Sequence, residues 1–342
     1  MTIRNVTVTG GSGFIGSHMV RTLLDADCRV TVVDNMRTGR PEFIHGLGHG
    51  NEPLHLLRGD ILDRDLMLRA VDGADWVIHL AANPDARGER RGVPFNVEQN
   101  IQGTLNVLDA MQQVGCDRIL YASSASIYGN TTQTPTPEDF QLVPQASFYG
   151  ASKLAAEGFI GAYCEMYGMT AILARWVHIL GERYLHGHII DFLRKLRRTP
   201  HHLHILGDGE QAKSGLHARN LTEGLLLAMR HHNTDLGVCT AYNFGGDTLL
   251  PVRESARLIV EVLREKNLWG LGEWTDGELK TQPAVTFTYS GRTGGGWVGD
   301  NPSLVLDSTK ARETLGWAPT MSVPDAIRLT AEWLTSSECS YL

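Results

Sequence analysis

The amino-acid sequence predicts an α/β protein with a doubly wound parallel sheet and a smaller C-terminal α/β lobe. Short apolar runs alternate with longer amphipathic stretches through the first half of the chain, which is typical of strand–helix–strand units. The first apolar run leads straight into a glycine-rich turn and a helical pattern. With 342 residues, of which 42% are hydrophobic, the chain is long enough to bury a large core.

Strands and helices alternate in the prediction for the first half. The predicted strands are Asn5–Thr9, Arg29–Val33, Leu54–Arg58, Trp76–Leu80, Arg118–Tyr121 and Thr170–Ala174. The predicted helices are Phe14–Asp25, Asp63–Val71, Val97–Val114 and Tyr149–Tyr167. Connections of this length join parallel strands, and because such crossovers are right-handed, helices are expected on both faces of the sheet.

The regular alternation of predicted strands and helices ends after Arg175. Helical patterns then occupy His188–Arg197, Ala218–Arg230, Val252–Glu265 and Pro324–Trp333, with short strands predicted at Leu203–Leu206 and Ala241–Phe244. We therefore divide the chain into residues 1–175 and 176–342. The second region is expected to close over the carboxyl edge of the sheet, where open α/β sheets bind their ligands.

Composition argues against several classes of partner. The formal charge is −7, so the protein has no general electrostatic attraction to nucleic acid or to anionic membranes. No apolar run approaches the length of a membrane span, and the first residues lack the apolar core of a signal peptide. The five cysteines are widely spaced, which predicts free thiols in the reducing cytoplasm. The histidine pairs lack an accompanying set of acidic or cysteine ligands, so no metal site is expected.

A glycine-rich turn follows the first predicted strand, with Gly10, Gly13 and Gly16 at regular spacing. Glycine permits a tight turn and lets backbone N–H groups approach a pyrophosphate at the start of a helix. The third glycine also permits close packing of the helix on the sheet. Three glycines alone are weak evidence, but the strand before them, the helix after them and an acid at the end of the second strand together predict a dinucleotide-binding turn.

The acid that ends the second strand is Asp34. A carboxylate at this point accepts hydrogen bonds from the adenosine ribose and repels a 2′-phosphate, which favours NAD over NADP. Arg37 and Arg40 lie nearby in sequence and keep NADP as an alternative, although both are typical of a solvated loop. Asp60, after the third strand, is a candidate either to reach the adenine amine or to cap a turn.

Tyr149 and Lys153 are candidate catalytic residues. They are four residues apart in a predicted helix, so their side chains share one face. The pKa of tyrosine is normally about 10, but a nearby ammonium and a positive nicotinamide would lower it. Ser124 follows the fifth predicted strand at the ligand-binding edge, where a hydroxyl can accept and donate a proton. The alternatives are a surface Tyr and Lys and a serine that caps a turn.

Taken together, these motifs resemble the extended short-chain dehydrogenase/reductase family, and within it the UDP-glucose (UDP-galactose) 4-epimerases. The resemblance covers nearly the whole chain. The matching residues are Thr9–Gly16, Asp34–Asn35, Gly59–Asp60, His79–Ala82, Asn100, Gly103–Thr104, Ser123–Ser124, Tyr128–Gly129, Tyr149–Lys153, Arg175, Gly181, Gly207–Gly209, His217, Tyr242–Asn243, Leu306–Lys310, Leu315–Trp317 and Pro319.

The resemblance implies a Rossmann fold for residues 1–175, NAD as the cofactor, and a nucleotide-sugar-binding lobe at 176–342. It implies that Ser124, Tyr149 and Lys153 are the catalytic set. The residues expected at the cofactor are Gly10, Gly13, Phe14, Ile15, Gly16, Asp34, Asn35, Asp60, Ile61, Leu80, Ala81, Ala82, Asn100, Tyr149, Lys153 and Val177. It also implies a homodimer formed through the helices Val97–Val114 and Tyr149–Tyr167.

The chain departs from the family pattern in the region expected to bind the substrate. His178 stands where many members have an asparagine that touches the nucleotide phosphates or the sugar, and Lys213 stands where many have an arginine. Arg292 is a candidate for a diphosphate contact or for a solvated loop arginine. Together with Ser124 and Tyr149, these three residues form the predicted substrate set.

The sequence favours C4 epimerisation of a nucleotide-diphosphate sugar through a transient 4-keto intermediate. Related dehydratases and decarboxylases carry an acid directly after the strand-five serine or threonine, whereas this chain has Ala125. The alternatives on the same scaffold are an NDP-4-ketosugar reductase and an epimerase for a uronic acid or pentose nucleotide. A non-catalytic dinucleotide-binding sensor is disfavoured, because a sensor needs neither Tyr149 nor Lys153.

Overall fold

The computed structural model describes residues 2–47, 54–85, 92–246, 248–269, 274–275, 278–279, 284–290 and 303–342. The chain forms two compact units. Unit 1 comprises Met1–Val177, Ala218–Gly245 and Leu306–Ala318. Unit 2 comprises His178–His217, Gly246–Val305 and Pro319–Leu342.

Strands and helices are numbered here in chain order. The strands are β1 Asn5–Thr9, β2 Arg29–Asp34, β3 Leu54–Arg58, β4 Trp76–His79, β5 Arg118–Ala122, β6 Thr170–Trp176, β7 His178–Leu180, β8 His202–Ile205, β9 Ala212–His217, β10 Cys239–Phe244, β11 Leu249–Pro251, β12 Trp274–Thr275, β13 Glu278–Leu279, β14 Thr286–Tyr289 and β15 Ser303–Leu304. The helices are α1 Phe14–Leu24, α2 Arg64–Val71, α3 Gly92–Asn96, α4 Gly103–Val114, α5 Phe148–Tyr167, α6 His188–Arg198, α7 Ala218–His231, α8 Val252–Glu265, α9 Thr309–Leu315 and α10 Val323–Leu334.

Unit 1 is built on a seven-stranded parallel sheet with the order β10-β6-β5-β4-β1-β2-β3. The central strands are buried along most of their length, as is usual for parallel strands with helices on both faces. Helices α2, α4 and α5 share one core cluster with the strands, and α1 packs against α7. The predicted doubly wound fold is therefore confirmed.

The edge strand β10 comes from the second half of the chain. β10 pairs with β6 in parallel, with Ala241 opposite Leu173. An uncovered β6 edge would expose its backbone N–H and C=O groups, and β10 satisfies them. The sequence pattern indicates a single change of region after Arg175, whereas the chain returns to unit 1 twice. The functions predicted for residues 1–175 and 176–342 stay predictions.

Helix α5 is the element that carries the candidate catalytic residues. Its first turn is capped by Ser147, whose hydroxyl accepts from the backbone N–H of Gly150, and it ends at Gly168 in the left-handed conformation. Both caps satisfy backbone groups that a helix end leaves unpaired. The buried residues of α5 lie on one face and include Lys153, Glu157, Ile160 and Cys164. The predicted helix Val97–Val114 is less regular, because Val97–Gln102 forms a π-helical segment before α4.

In its described residues, unit 2 contains a small mixed sheet, the strand pairs β8–β14 and β12–β13, and three helices. β9 is the centre of the mixed sheet, pairing with β11, β15 and β7. Helices α6, α8 and α10 contact one another and bury their aliphatic faces, which is the pattern expected of amphipathic helices around a core. Within the described ranges, no helix has both the length and the apolar character that a membrane span requires.

Candidate active site

The turn between β1 and α1 has a shape suited to an anion. Gly10 has φ +71°, and a Cβ on Gly16 would lie 2.1 Å from the carbonyl oxygen of Gly10. Neither position accepts a larger residue without backbone movement. Gly13 provides no side-chain cap for α1, and the first turn of the helix contains no acidic residue. The first turn of the helix therefore leaves its own positive potential available to an anion.

Ser12 adds a polar group to the same turn. Its side chain is fully buried, and its Oγ has no hydrogen-bond partner within the part of the chain that the structure describes. A buried hydroxyl without a partner is costly, and an oxygen of a bound ligand would relieve that cost. The glycine turn thus fits the pyrophosphate of a dinucleotide.

Asp34 holds the glycine turn in place. Its buried carboxylate accepts hydrogen bonds from the backbone N–H of Ser12 (3.0 Å) and of Met36 (2.9 Å). Burial raises the pKa of Asp34, while these two hydrogen bonds act in the opposite direction. The residue predicted to bind ribose therefore also links the end of β2 to the glycine turn.

Asn35 and Asp60 are brought together beside Asp34. The amide of Asn35 donates to the Asp60 carboxylate at 2.8 Å. Asp60 also accepts from the backbone N–H of Leu62 at 3.1 Å, as a residue that caps a turn does, and its contact with the adenine amine stays a prediction. Ile61, in contrast, is buried in the core cluster of unit 1. Arg37 lies over the ring of Phe95, 5.1 Å from its centroid.

The chain after β4 passes close to the glycine turn. The backbone N–H of Ala81, within the predicted segment Leu80–Ala82, donates to the hydroxyl of Thr9 at 3.2 Å. Asn100 is buried and donates to the Ser152 hydroxyl at 2.9 Å. It also accepts from the backbone N–H of Asn83 at 2.7 Å. Asn100 therefore connects this segment to α5. The remaining predicted cofactor residues are Phe14 and Ile15 at the start of α1 and Val177 between β6 and β7.

Ser124, Tyr149 and Lys153 converge beyond the carboxyl end of β5. The hydroxyl of Ser124 lies close enough to that of Tyr149 to lower its pKa. The Lys153 Nζ lies 5.9 Å from the centroid of the Tyr149 ring and donates to the backbone carbonyl of Ala122 at 2.7 Å. Ser124 also caps the short turn Ala125–Tyr128 by accepting from the backbone N–H of Ser126 at 3.1 Å. The structure thus brings the predicted catalytic set together.

Burial dominates the titration of the two catalytic candidates. It raises the pKa of Tyr149 to about 12, although the nearby Ser124 hydroxyl lowers it. Burial also lowers the pKa of Lys153 to about 7, and the Glu157 carboxylate opposes this effect. The shift of Tyr149 is opposite to the one that the ammonium alone was expected to produce. A phenolate at neutral pH therefore needs further positive charge, such as an oxidised nicotinamide.

A buried ion pair supports this site, and the sequence patterns did not reveal it. The Glu157 carboxylate accepts from Nε (3.0 Å) and Nη2 (2.7 Å) of Arg175, and from the hydroxyl of Ser123 (2.5 Å). Arg175 also donates to the hydroxyl of Tyr128 at 2.9 Å. Glu157 lies one turn beyond Lys153 on the buried face of α5. That spacing was the available signal, but the Arg175 partner is visible only in three dimensions.

The predicted substrate residues outside unit 1 lie in β7 or later in the sequence. His178 begins β7, and its Nε2 lies 3.2 Å from the hydroxyl of Tyr184. Its ring is 5.0 Å from the ring of His188. His178 and His188 line a cavity within unit 2, together with Ser214. The backbone of Lys213 pairs with Leu250 in the small sheet. Arg292 lies outside the described residues.

Comparison with known proteins identifies the family. A profile of the NAD dependent epimerase/dehydratase family matches residues 6–245. The chain belongs to this family. The suspected resemblance is therefore confirmed, and the cofactor of the family is NAD, as predicted.

Several relatives of this chain match over almost their whole length. A putative UDP-glucose 4-epimerase of Methanocaldococcus jannaschii is 27% identical, covering 97% of this chain and 99% of the relative. A UDP-glucose 4-epimerase of Streptomyces lividans is 29% identical, covering 98% and 97%. The dTDP-glucose 4,6-dehydratase of Streptomyces griseus is 26% identical, covering 96% and 93%.

Solved structures agree with these relatives. A crystal structure of a UDP-galactose 4-epimerase is similar with a TM-score of 0.80 at 32% identity, covering 96% of this chain and 98% of that one. A structure of MoeE5 in complex with UDP-glucuronic acid and NAD has a TM-score of 0.76 at 26% identity, covering 96% and 98%. Epimerases and dehydratases are thus both among the similar proteins, and the site itself must distinguish them.

Proposed function

We propose that the protein catalyses the C4 epimerisation of a nucleotide-diphosphate sugar of the UDP-glucose/UDP-galactose type. The observation that carries this proposal is the meeting of Ser124, Tyr149 and Lys153 beyond β5, with Ala125 directly after Ser124. A phenol, a hydroxyl and an ammonium suffice to move a proton to and from an alcohol. Elimination of water would need a further acid, and the position next to Ser124 does not provide one.

The residues of unit 1 that would hold NAD are those around the glycine turn. The start of α1 and the hydroxyl of Ser12 would bind the pyrophosphate, and Asp34 would accept from the adenosine ribose. Lys153 would hydrogen-bond the nicotinamide ribose. When bound, NAD supplies the acceptor for the C4 hydride and afterwards its donor.

The side chains of the protein have distinct tasks in this reaction. Tyr149 accepts the proton of the C4 hydroxyl, directly or through Ser124, whose hydroxyl can both accept and donate. The same groups return the proton once the sugar has turned over, so no net oxidation occurs. Lys153 stabilises the negative charge of the Tyr149 oxygen. We also propose that His178, Lys213 and Arg292 bind the nucleotide diphosphate or the sugar, so that binding is concentrated away from the reacting carbon.

The direct test uses the purified protein with UDP-glucose or UDP-galactose and no added reductant. We expect chromatography of the nucleotide sugars to show interconversion in both directions. The same assay with a UDP-uronic acid and a UDP-pentose tests the alternative epimerases. A requirement for stoichiometric NADH or NADPH would favour the 4-ketosugar reductase. Dinucleotide binding without turnover of any of these sugars would favour a sensor.

The negative charge of Asp34 should determine whether the protein binds NAD more tightly than NADP. In Asp34→Asn the charge that repels a 2′-phosphate is removed, and one acceptor for the ribose is weakened. We expect NAD to bind roughly tenfold more weakly, because charge-assisted hydrogen bonds to the ribose are lost; this corresponds to about 1.4 kcal/mol. We also expect the preference of the protein for NAD over NADP to become smaller. Dissociation constants for both dinucleotides measure this. Asp63→Asn is the matched control, because Asp63 only caps α2; an equal loss of preference there would contradict the assignment.

The homodimer remains a proposal as well. Helix α5 exposes several large apolar side chains, with exposed fractions of 43% for Phe159, 72% for Met166 and 54% for Tyr167. Exposed apolar surface of this kind is typical of an interface. We propose that α4 and α5 form the contact with a second copy of the chain.

A further inference from the structure

Two cysteines that are far apart in sequence meet in unit 1. Cys164 lies in the last turns of α5, and Cys239 is the first residue of β10. Their two thiol groups lie close enough for each to shift the pKa of the other. Neither residue forms a disulfide in this structure. Both cysteines are free thiols, as the sequence predicts, but these two are neighbours in the fold.

Packing of α5 on the edge of the sheet explains why the thiols meet. Cys164 is buried in the core cluster of unit 1, which also contains Ala171 of β6. In the sheet Ala171 is the partner of Cys239. Ala241 packs against the same cluster, and because alternate residues of a strand face the same side, Cys239 points toward α5 as well. The contact thus follows from the strand register and from the buried face of the helix.

The two thiols differ in their access to solvent. Cys164 is only 4% exposed, whereas Cys239 is exposed and lies in the edge strand of the sheet. The neighbouring Cys164 thiol lowers the pKa of Cys239, and the Cys239 thiol raises that of Cys164. A thiolate is the reactive form of cysteine. Cys239 is therefore the accessible nucleophile, and Cys164 is the protected thiol behind it.

We propose that Cys164 and Cys239 form a reversible modification site that is oxidised to a disulfide by low-molecular-weight disulfides. The Cys239 thiolate attacks one sulfur of the small disulfide and forms a mixed disulfide with it, while the other sulfur leaves as a thiolate and takes up a proton. Cys164 then loses its proton and attacks the Cys239 Sγ, and the second small thiol is released. Two protein thiols are oxidised, and one small disulfide is reduced to two small thiols.

The product would link α5 to the edge strand. Helix α5 carries Tyr149, Lys153 and Glu157, so the modification would fix the helix that contains the candidate catalytic residues. The chemistry of the cysteine pair depends only on its own geometry. It does not rest on the proposed epimerisation.

The test uses the full-length reduced protein and oxidised glutathione as the small disulfide. After the reaction, free thiols are blocked with N-ethylmaleimide, and the protein is digested without reductant for peptide mass spectrometry. We expect a peptide pair joined through Cys164 and Cys239 that disappears after treatment with dithiothreitol. In Cys164→Ser, we expect Cys239 to retain one glutathione, because the second step cannot occur.

Two variants make the result decisive. Cys116→Ser is the matched control, because Cys116 is a buried thiol of the same core cluster and burial raises its pKa to about 11. This variant should still form the disulfide between Cys164 and Cys239. Cys239→Ser should leave Cys164 unmodified by glutathione under native conditions. The proposal is overturned if wild-type Cys239 stays glutathionylated while Cys164 remains a free thiol, or if Cys164 reacts equally well without Cys239.

Discussion

Replacing Tyr149 with phenylalanine is expected to lower turnover by about 10²–10⁴-fold, the usual contribution of a positioned acid–base group. The variant keeps the aromatic ring that lies beside Lys153 and loses only the hydroxyl near Ser124. We therefore expect the fold and the affinity for NAD to be preserved. Initial rates of epimerisation, circular dichroism and a dinucleotide titration measure these three properties.

Tyr121→Phe is the matched control for this experiment. The ring of Tyr121 also lies beside Lys153, with Nζ 4.8 Å from the centroid, but its hydroxyl plays no part in the proposed proton transfer. We expect its turnover to stay within a few-fold of wild type. If Tyr149→Phe retained most of the activity while Tyr121→Phe lost it, the base would have to be reassigned to Tyr121.

Glu157→Gln should have the largest effect on stability and also alter the pH dependence. Glu157 and Arg175 are 6% and 7% exposed, and breaking such a pair leaves a buried guanidinium without its charged partner. The expected loss is about 3–5 kcal/mol in the free energy of unfolding, measurable by urea denaturation. The Glu157 carboxylate also raises the pKa of Lys153. Its removal should therefore shift the alkaline decline of activity, where the ammonium is lost, to lower pH.

The sign of the pH effect on stability follows from the same ammonium. In the folded protein the pKa of Lys153 is lowered from 10.5 to about 7. Between these two values the unfolded chain binds the extra proton, so stability is expected to rise as the pH increases across this window. In Glu157→Gln the lower end of the window should move to still lower pH. Urea unfolding at several pH values would show this.

Ser123→Ala tests whether the position of the Glu157 carboxylate or its charge controls the pKa of Lys153. It removes the hydrogen bond from Ser123 to the Glu157 carboxylate but leaves the charge and the ion pair with Arg175. We expect a loss of about 1–3 kcal/mol and no shift of the alkaline limb. Equal shifts in both variants, or none in Glu157→Gln, would mean that Glu157 does not act on Lys153.

The local patterns of the sequence predicted the first part of the fold well. The turn from Gly10 to Gly16 and the helix that carries Tyr149 and Lys153 lie where the motifs placed them. These features are encoded within a few neighbouring residues: a glycine where the backbone needs it, and a spacing of four residues that places two side chains on one helix face. The division of the chain into two units was harder to predict, because β10 belongs to the sheet of unit 1 although it follows the unit 2 segment His178–His217 in sequence.

Tertiary structure alone decided which distant residues meet. Asp34 with Ser12, Glu157 with Arg175, and Cys164 with Cys239 are partners through packing and strand register, and no local pattern specifies them. It also decided the direction of the pKa shifts of Tyr149 and Lys153. The physical reason is that burial and long-range pairing depend on how the whole chain folds, whereas turns, caps and helix faces depend on residues close together in sequence.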